Sequence, residues 1–221
     1  PNRYLSKEEM YMNRQPTFCS HIAQIVGFLV ILTSVVHAGA KYPGEYRLMK
    51  EPEIHTKGRV VLLEFADFYC PHCHMFENKV GSKLKKEFGR SLEIRMIGFP
   101  VMRGKLSTAF EMHEQARKMG KGTEMKAVLF RSIHKEHIHI FDRNLRTILI
   151  NEIGLDTKDF EAGLASGEPY KALKKGQQWG ERIGVTHTPT IVLNGNIRVD
   201  NIGIDNLRTI IQGILKQDKA R

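Results

Sequence analysis

Residues 59–74 read Arg-Val-Val-Leu-Leu-Glu-Phe-Ala-Asp-Phe-Tyr-Cys-Pro-His-Cys-His, and this stretch decides the fold. Its first ten residues form a nearly continuous apolar run rich in β-branched side chains, the pattern of a strand buried on both faces. Cys70 and Cys73 follow at once. From Cys73 onward, Met75, Phe76, Val80, Leu84 and Phe88 recur at helical spacing with lysines between them, which predicts an amphipathic helix. Residues 91–98 alternate and read as a second strand. The front half is therefore strand, helix, strand, with the cysteine pair where the helix begins.

Residues 105–183 read as helical. Segments 106–119 and 123–135 are amphipathic and separated by Gly120 and Gly122; Asp142 and Asp156 are placed to cap two further helices, and Pro169 suits the first turn of another. Phe110 and Trp179 are expected in the core. Residues 190–193 and 196–199 are short strands joined by Asn194-Gly195, a hairpin turn signal. Asp205 then opens a last helix carrying Leu207, Ile210, Ile211, Ile214 and Leu215 on one face. The expected class is α/β, with a helical insertion at about 105–183 between the two halves of one sheet.

At 221 residues with 41% hydrophobic and 26% charged content, the chain can bury a core of good size. The net charge is +10; residues 1–40 carry three basic and two acidic side chains, so about +9 stays on the remainder. The basic residues are dispersed, with no arginine-rich arm and no nucleic-acid motif, so a nucleic-acid partner is not expected. Residues 22–36 are apolar but shorter than the ~20 residues a membrane span requires. Arg14 precedes them and Ala38-Gly39-Ala40 follows, which together describe a signal peptide cleaved after Ala40; Met10 or Met12 would be its start. An uncleaved membrane anchor is the rival reading. Cleavage would remove Cys19 and leave Cys70 and Cys73 in an exported protein of residues 41–221, in a compartment where disulfides persist.

Cys-x-x-Cys at a helix start has a definite chemistry. Unpaired N–H groups and the helix dipole favour an anion at the first cysteine, and so the thiolate that attacks disulfides. His72 adds a donor or a positive charge beside it, and Pro71 presets the first turn without leaving an unpaired N–H. Cys73, about one turn in, resolves mixed disulfides. A zinc site would need a second ligand pair that the sequence lacks, and a purely structural disulfide of so small a ring adds little closure entropy. Cys70-Pro71-His72-Cys73-His74 is also a literal Cys-x-x-Cys-His, the haem-attachment pattern, which leaves a c-type electron carrier as the alternative from another class.

Residues 64–77 (Glu-Phe-Ala-Asp-Phe-Tyr-Cys-Pro-His-Cys-His-Met-Phe-Glu) resemble the active-site segment of the DsbA family of disulfide oxidases, with its Cys-Pro-His-Cys quartet. Residues 184–190 (Gly-Val-Thr-His-Thr-Pro-Thr), followed by Asn194-Gly195, resemble that family's cis-proline loop and next hairpin. The resemblance covers roughly residues 41–215. It implies a thioredoxin fold in which Pro189 is cis and faces the cysteines, and in which the backbone of Thr188 pairs with an extended substrate peptide. Threonine stands here where the best-known oxidases have valine, which bears on the direction of the redox reaction.

Glu64 interrupts the apolar strand before the cysteines. Buried there it would hold its proton more tightly and could take the proton of Cys73, a role the resemblance also supports; otherwise it is an ordinary strand residue reaching solvent. His134, His137 and His139 do not share one helix face, and a solvated helix end is the expected reading for them. The expected activity is oxidation of reduced substrate proteins by a monomeric periplasmic enzyme, reoxidised, by resemblance, by a quinone-linked membrane partner, with no metal or organic cofactor. A reductase or isomerase is the alternative within the class.

Overall fold

The strand Val60–Ala66 (β2) lies in a five-stranded sheet and has no exposed residue, as its unbroken apolar run requires. The computed structural model describes residues 41–102 and 104–220; the expected signal segment and Cys19 lie outside them. The other strands are Arg47–Leu48 (β1), Leu92–Gly98 (β3), Thr190–Leu193 (β4) and Ile197–Val199 (β5). The sheet order is β1-β5-β4-β2-β3, with β2 and β3 parallel and the remaining neighbours antiparallel. A parallel pair needs a crossover. Here it is the cysteine-bearing helix Pro71–Phe76 (α1), which passes through a π turn, Glu77–Gly81, into Ser82–Phe88 (α2).

Between β3 and β4 the chain forms five helices: Thr108–Lys118 (α3), Gly122–His134 (α4), Arg143–Glu152 (α5), Thr157–Ala165 (α6) and Glu168–Arg182 (α7). Asp142 caps α5 through Leu145 N–H at 2.9 Å, and Asp156 caps α6 through Asp159 N–H at 2.8 Å. The insertion sits tightly on the sheet. A side chain at Gly98 would put its Cβ 2.8 Å from both Phe110 and Leu173, so glycine is needed where β3 meets α3 and α7. The insertion has its own core, which includes Phe110 and Phe130 and continues into Cys70 and Cys73. Trp179 is only half-buried: it packs on Phe65, and its indole N–H, which needs a partner, donates to Glu51, 3.0 Å away.

The hairpin after the insertion turns at Asn194 (φ 46) and Gly195 (φ 79), both left-handed, as such a turn demands. Asn194 also binds both the N–H and the C=O of Val61, at 2.9 and 2.8 Å, locking the hairpin to β2. The last helix, Ile204–Ala220 (α8), buries Leu207, Ile210, Ile211 and Ile214 against the sheet. Among the described residues no helix is long and apolar enough to cross a membrane.

Candidate active site

Cys70 occupies the N-cap position of α1 in extended backbone (φ −85, ψ 118), and its carbonyl accepts the N–H groups of Cys73 and His74 at 3.1 and 3.2 Å. Pro71 fills the first helical position, where an N–H would have no partner. Both cysteines are free; Cys70 is 6% exposed and Cys73 0%. His72 is exposed on the first turn, at the mouth of a groove beside the cysteines.

The sulfur of Cys70 faces the loop ahead of β4. Its Sγ lies 3.5 Å from the carbonyl oxygen of Thr188, and the Thr188–Pro189 peptide bond is cis. Arg198 on β5, 5% exposed, holds the start of this loop: its Nη1 donates to the carbonyls of Ile183 and Gly184, each at 3.0 Å, where α7 ends. Those carbonyls have no helical partner, and a cation suits the negative end of the dipole.

The turn entering α1 is anchored by Asp67, which is 0% exposed. Its carboxylate accepts the N–H groups of Tyr69, Val101 and Met102 at 2.8–2.9 Å, and its backbone carbonyl accepts Cys70 N–H at 3.1 Å. One carboxylate thus ties the cysteine turn to the chain leaving β3.

Beneath the cysteines lies a buried charge cluster. Strand alternation sends Glu64 to the same face of β2 as Leu62, under α1, with 0% exposure and neither carboxylate oxygen hydrogen-bonded. Burial raises its pKa to about 7; Lys126 opposes this and Glu77 adds to it. Lys126, on α4 of the insertion, reaches Glu64 at 4.0 Å and the half-buried Glu77 at 2.5 Å. Burial pushes the Cys73 thiol well above the ordinary cysteine range, with hydrogen bonding from the Asp67 backbone opposing and the Glu64 charge reinforcing. His113 abuts the same cluster; burial, then Lys126, hold its imidazole down to about 3, so it is neutral.

Of the three histidines at and beyond the end of α4, only His134 departs from a solvated helix end. His134 stacks on His74 with ring centroids 4.6 Å apart and planes 5° from parallel, and its Nε2 lies 2.8 Å from the carbonyl of Phe68. Burial holds both imidazoles below the usual range. His137 and His139 are exposed, and the described residues contain no group of three metal-ligating side chains. The haem reading would need a thioether at Cys73, which has no exposed surface.

The sequence therefore brings Cys70, Cys73, Pro71, Glu64, Thr188 and Pro189 to one place. It does not reveal Asp67, Lys126 or Arg198. Asp67 gave the same signal as Glu64, a lone acid in an apolar run. Lys126 shares a helix face with Phe130 and Ile133, so a lysine at apolar spacing was the available sign.

The thioredoxin family model matches residues 55–213. The thiol:disulfide interchange protein DsbA of Yersinia pestis is 25% identical over 80% of this chain and 84% of its own length. The protein of the same name from Buchnera aphidicola is 20% identical over 81% of this chain and 88% of its own. The crystal structure of Pseudomonas aeruginosa DsbA superposes with TM-score 0.61 at 20% identity, covering 80% of this chain and 93% of that one. The oxidoreductase DsbA from Xylella fastidiosa gives 0.63, at 18% identity over 80% and 96%.

Proposed function

The chain belongs to the DsbA family of thioredoxin-fold thiol:disulfide oxidoreductases, and from that premise we propose that it is an exported oxidase which puts disulfides into substrate proteins through Cys70 and Cys73. The observation that carries the reading is the asymmetry of the pair: Cys70 at a helix start against the Thr188 carbonyl, Cys73 fully enclosed above a carboxylic acid.

The steps follow from that asymmetry. A substrate thiolate attacks Sγ of Cys70 in the enzyme disulfide, forming a mixed disulfide and releasing Cys73 as a thiolate. Burial disfavours that anion, so Cys73 takes a proton, and Glu64, with a pKa raised to about 7, is the nearby acid that supplies it. A second substrate thiolate then attacks the substrate sulfur of the mixed disulfide and expels the Cys70 sulfur from the start of α1. The substrate loses two electrons, which the enzyme holds as the Cys73 thiol and the Cys70 thiolate; the two substrate thiol protons go to solvent, from which Glu64 regains the one it gave to Cys73. On reoxidation Glu64 works in reverse and accepts the Cys73 proton. The backbone of Thr188 beside Pro189 pairs with the extended substrate. Lys126 and Glu77 continue the cluster from Glu64 towards the surface.

Family resemblance supports a periplasmic location, a monomer, and reoxidation by a quinone-linked membrane partner. The deciding measurement is the Cys70–Cys73 potential equilibrated against glutathione, together with oxidation of a reduced, unfolded substrate protein. An oxidase is more oxidising than the glutathione couple and oxidises the substrate stoichiometrically. A more reducing potential, with no net oxidation, would make the protein a reductase.

A further inference from the structure

Past the Thr188–Pro189 loop that the Cys70 sulfur faces lies a groove of about 560 Å³, running between α1 and its π turn on one side and that loop and the β5–α8 connection on the other. Met75, Phe76, Val80, Val199 and Ile202 make its surface largely apolar, a seat for one or two apolar side chains of a bound segment. The charges on its walls are unequal. Asp200, the groove's carboxylate, is met by two guanidiniums, Arg47 at 3.2 Å and Arg198 at 3.4 Å. Lys79, on the opposite wall, is exposed and has no carboxylate partner among the described residues.

We infer that this groove selects substrate segments that carry an apolar residue beside the reacting cysteine and an acidic one about three positions from it, whose carboxylate pairs with Lys79. The inference rests on the oxidase reading above and adds the substrate class to it. Position along the segment follows from helix geometry. Lys79 lies nine residues beyond Cys70, so about 13 Å along the helix at ~1.5 Å per residue. Its side chain leans back towards the helix start, which shortens the span to roughly 10 Å. An extended peptide covers that in about three residues. Arg47 and Arg198 offset the repulsion that Asp200 would otherwise exert on the incoming acid, so the groove as a whole is cationic towards its ligand.

The test uses the full-length enzyme, oxidised beforehand, and synthetic peptide dithiols. Each carries an apolar residue next to the reacting cysteine and a single Asp, Asn or Lys at the third position, on one side of that cysteine or the other. Single-turnover rates are read by acid quench and mass spectrometry. The Asp peptide of one of the two series should react about two- to fivefold faster than its Asn counterpart, the range of an exposed ion pair, and the Lys peptide slower still. The preference should shrink in about 0.5 M salt, where the screening length falls to roughly 4 Å. In Lys79→Glu the order should invert, with the Lys peptide now fastest. Equal rates for Asp, Asn and Lys in both series, or the same order in Lys79→Glu, would overturn the inference and leave the oxidase reading intact. If the wild-type enzyme oxidises none of the peptides, both fall.

Discussion

Replacing Glu64 by Gln should make the reduced protein more stable, and more so as pH rises. Glu64 is fully buried with no hydrogen bond to either carboxylate oxygen, and its pKa is about 7 against 4.5 for the unfolded group. Below pH 4.5 both states are protonated and the group costs nothing electrostatically. Between pH 4.5 and 7 the unfolded chain has released this proton while the folded protein keeps it. The folded state then binds more protons, and stability declines with rising pH. Above about pH 7 the cost is fully present. At about 1.4 kcal/mol per pH unit it amounts to roughly 3 kcal/mol, a large share of a domain's net stability. Gln has the same shape and no charge, so Glu64→Gln should gain about 3 kcal/mol on the wild type between about pH 4 and pH 8. Urea unfolding of the two reduced proteins across that range reads the difference directly. A difference that stays flat with pH would mean that Glu64 titrates as an exposed carboxylate. A difference of opposite sign would mean that its pairing with Lys126 outweighs its burial. Either result removes Glu64 as the acid that serves Cys73.

Lys126→Met takes away the cation that opposes Glu64's rise, so the pH at which Glu64 ionises should move up; carboxyl infrared or NMR titration checks this, and no movement would disconnect Lys126 from the site. Cys73→Ser should accumulate mixed disulfides with substrate through Cys70, whereas Cys70→Ser should form none, as seen on non-reducing gels; trapping through Cys73 instead would reverse their roles. Asp67→Ala strands three N–H groups of the cysteine turn and the β3 exit, and should cost roughly 2–4 kcal/mol in denaturant unfolding; a loss under about 1 kcal/mol would mean that water replaces the carboxylate without penalty.

Much of this protein was legible one residue at a time because the signals are local. The unbroken apolar run ahead of Cys70, the helical recurrence from Met75 to Phe88, the caps Asp142 and Asp156 and the turn at Asn194-Gly195 each depend on neighbours within a few positions, where backbone geometry alone sets the outcome. The two motifs around Cys70 and Pro189 were readable for the same reason. The sequence by itself therefore determined the strand–helix–strand frame, the helical insertion and the nucleophile. Other features arise only when distant segments close on each other. β1 carries two exposed residues and no pattern, and it exists because β5 offers it an edge. Lys126 meets Glu64 because α4 packs against α1, and His134 meets His74 by the same contact, which turned an expected solvated helix end into a stacked, half-buried pair. Asp67 finds Val101 and Met102, and Arg198 finds the end of α7, across loops whose lengths say nothing about where they lead. Burial and charge proximity are properties of the folded volume, so the proton affinity of Glu64 and the uneven charge of the groove were decided by tertiary structure alone.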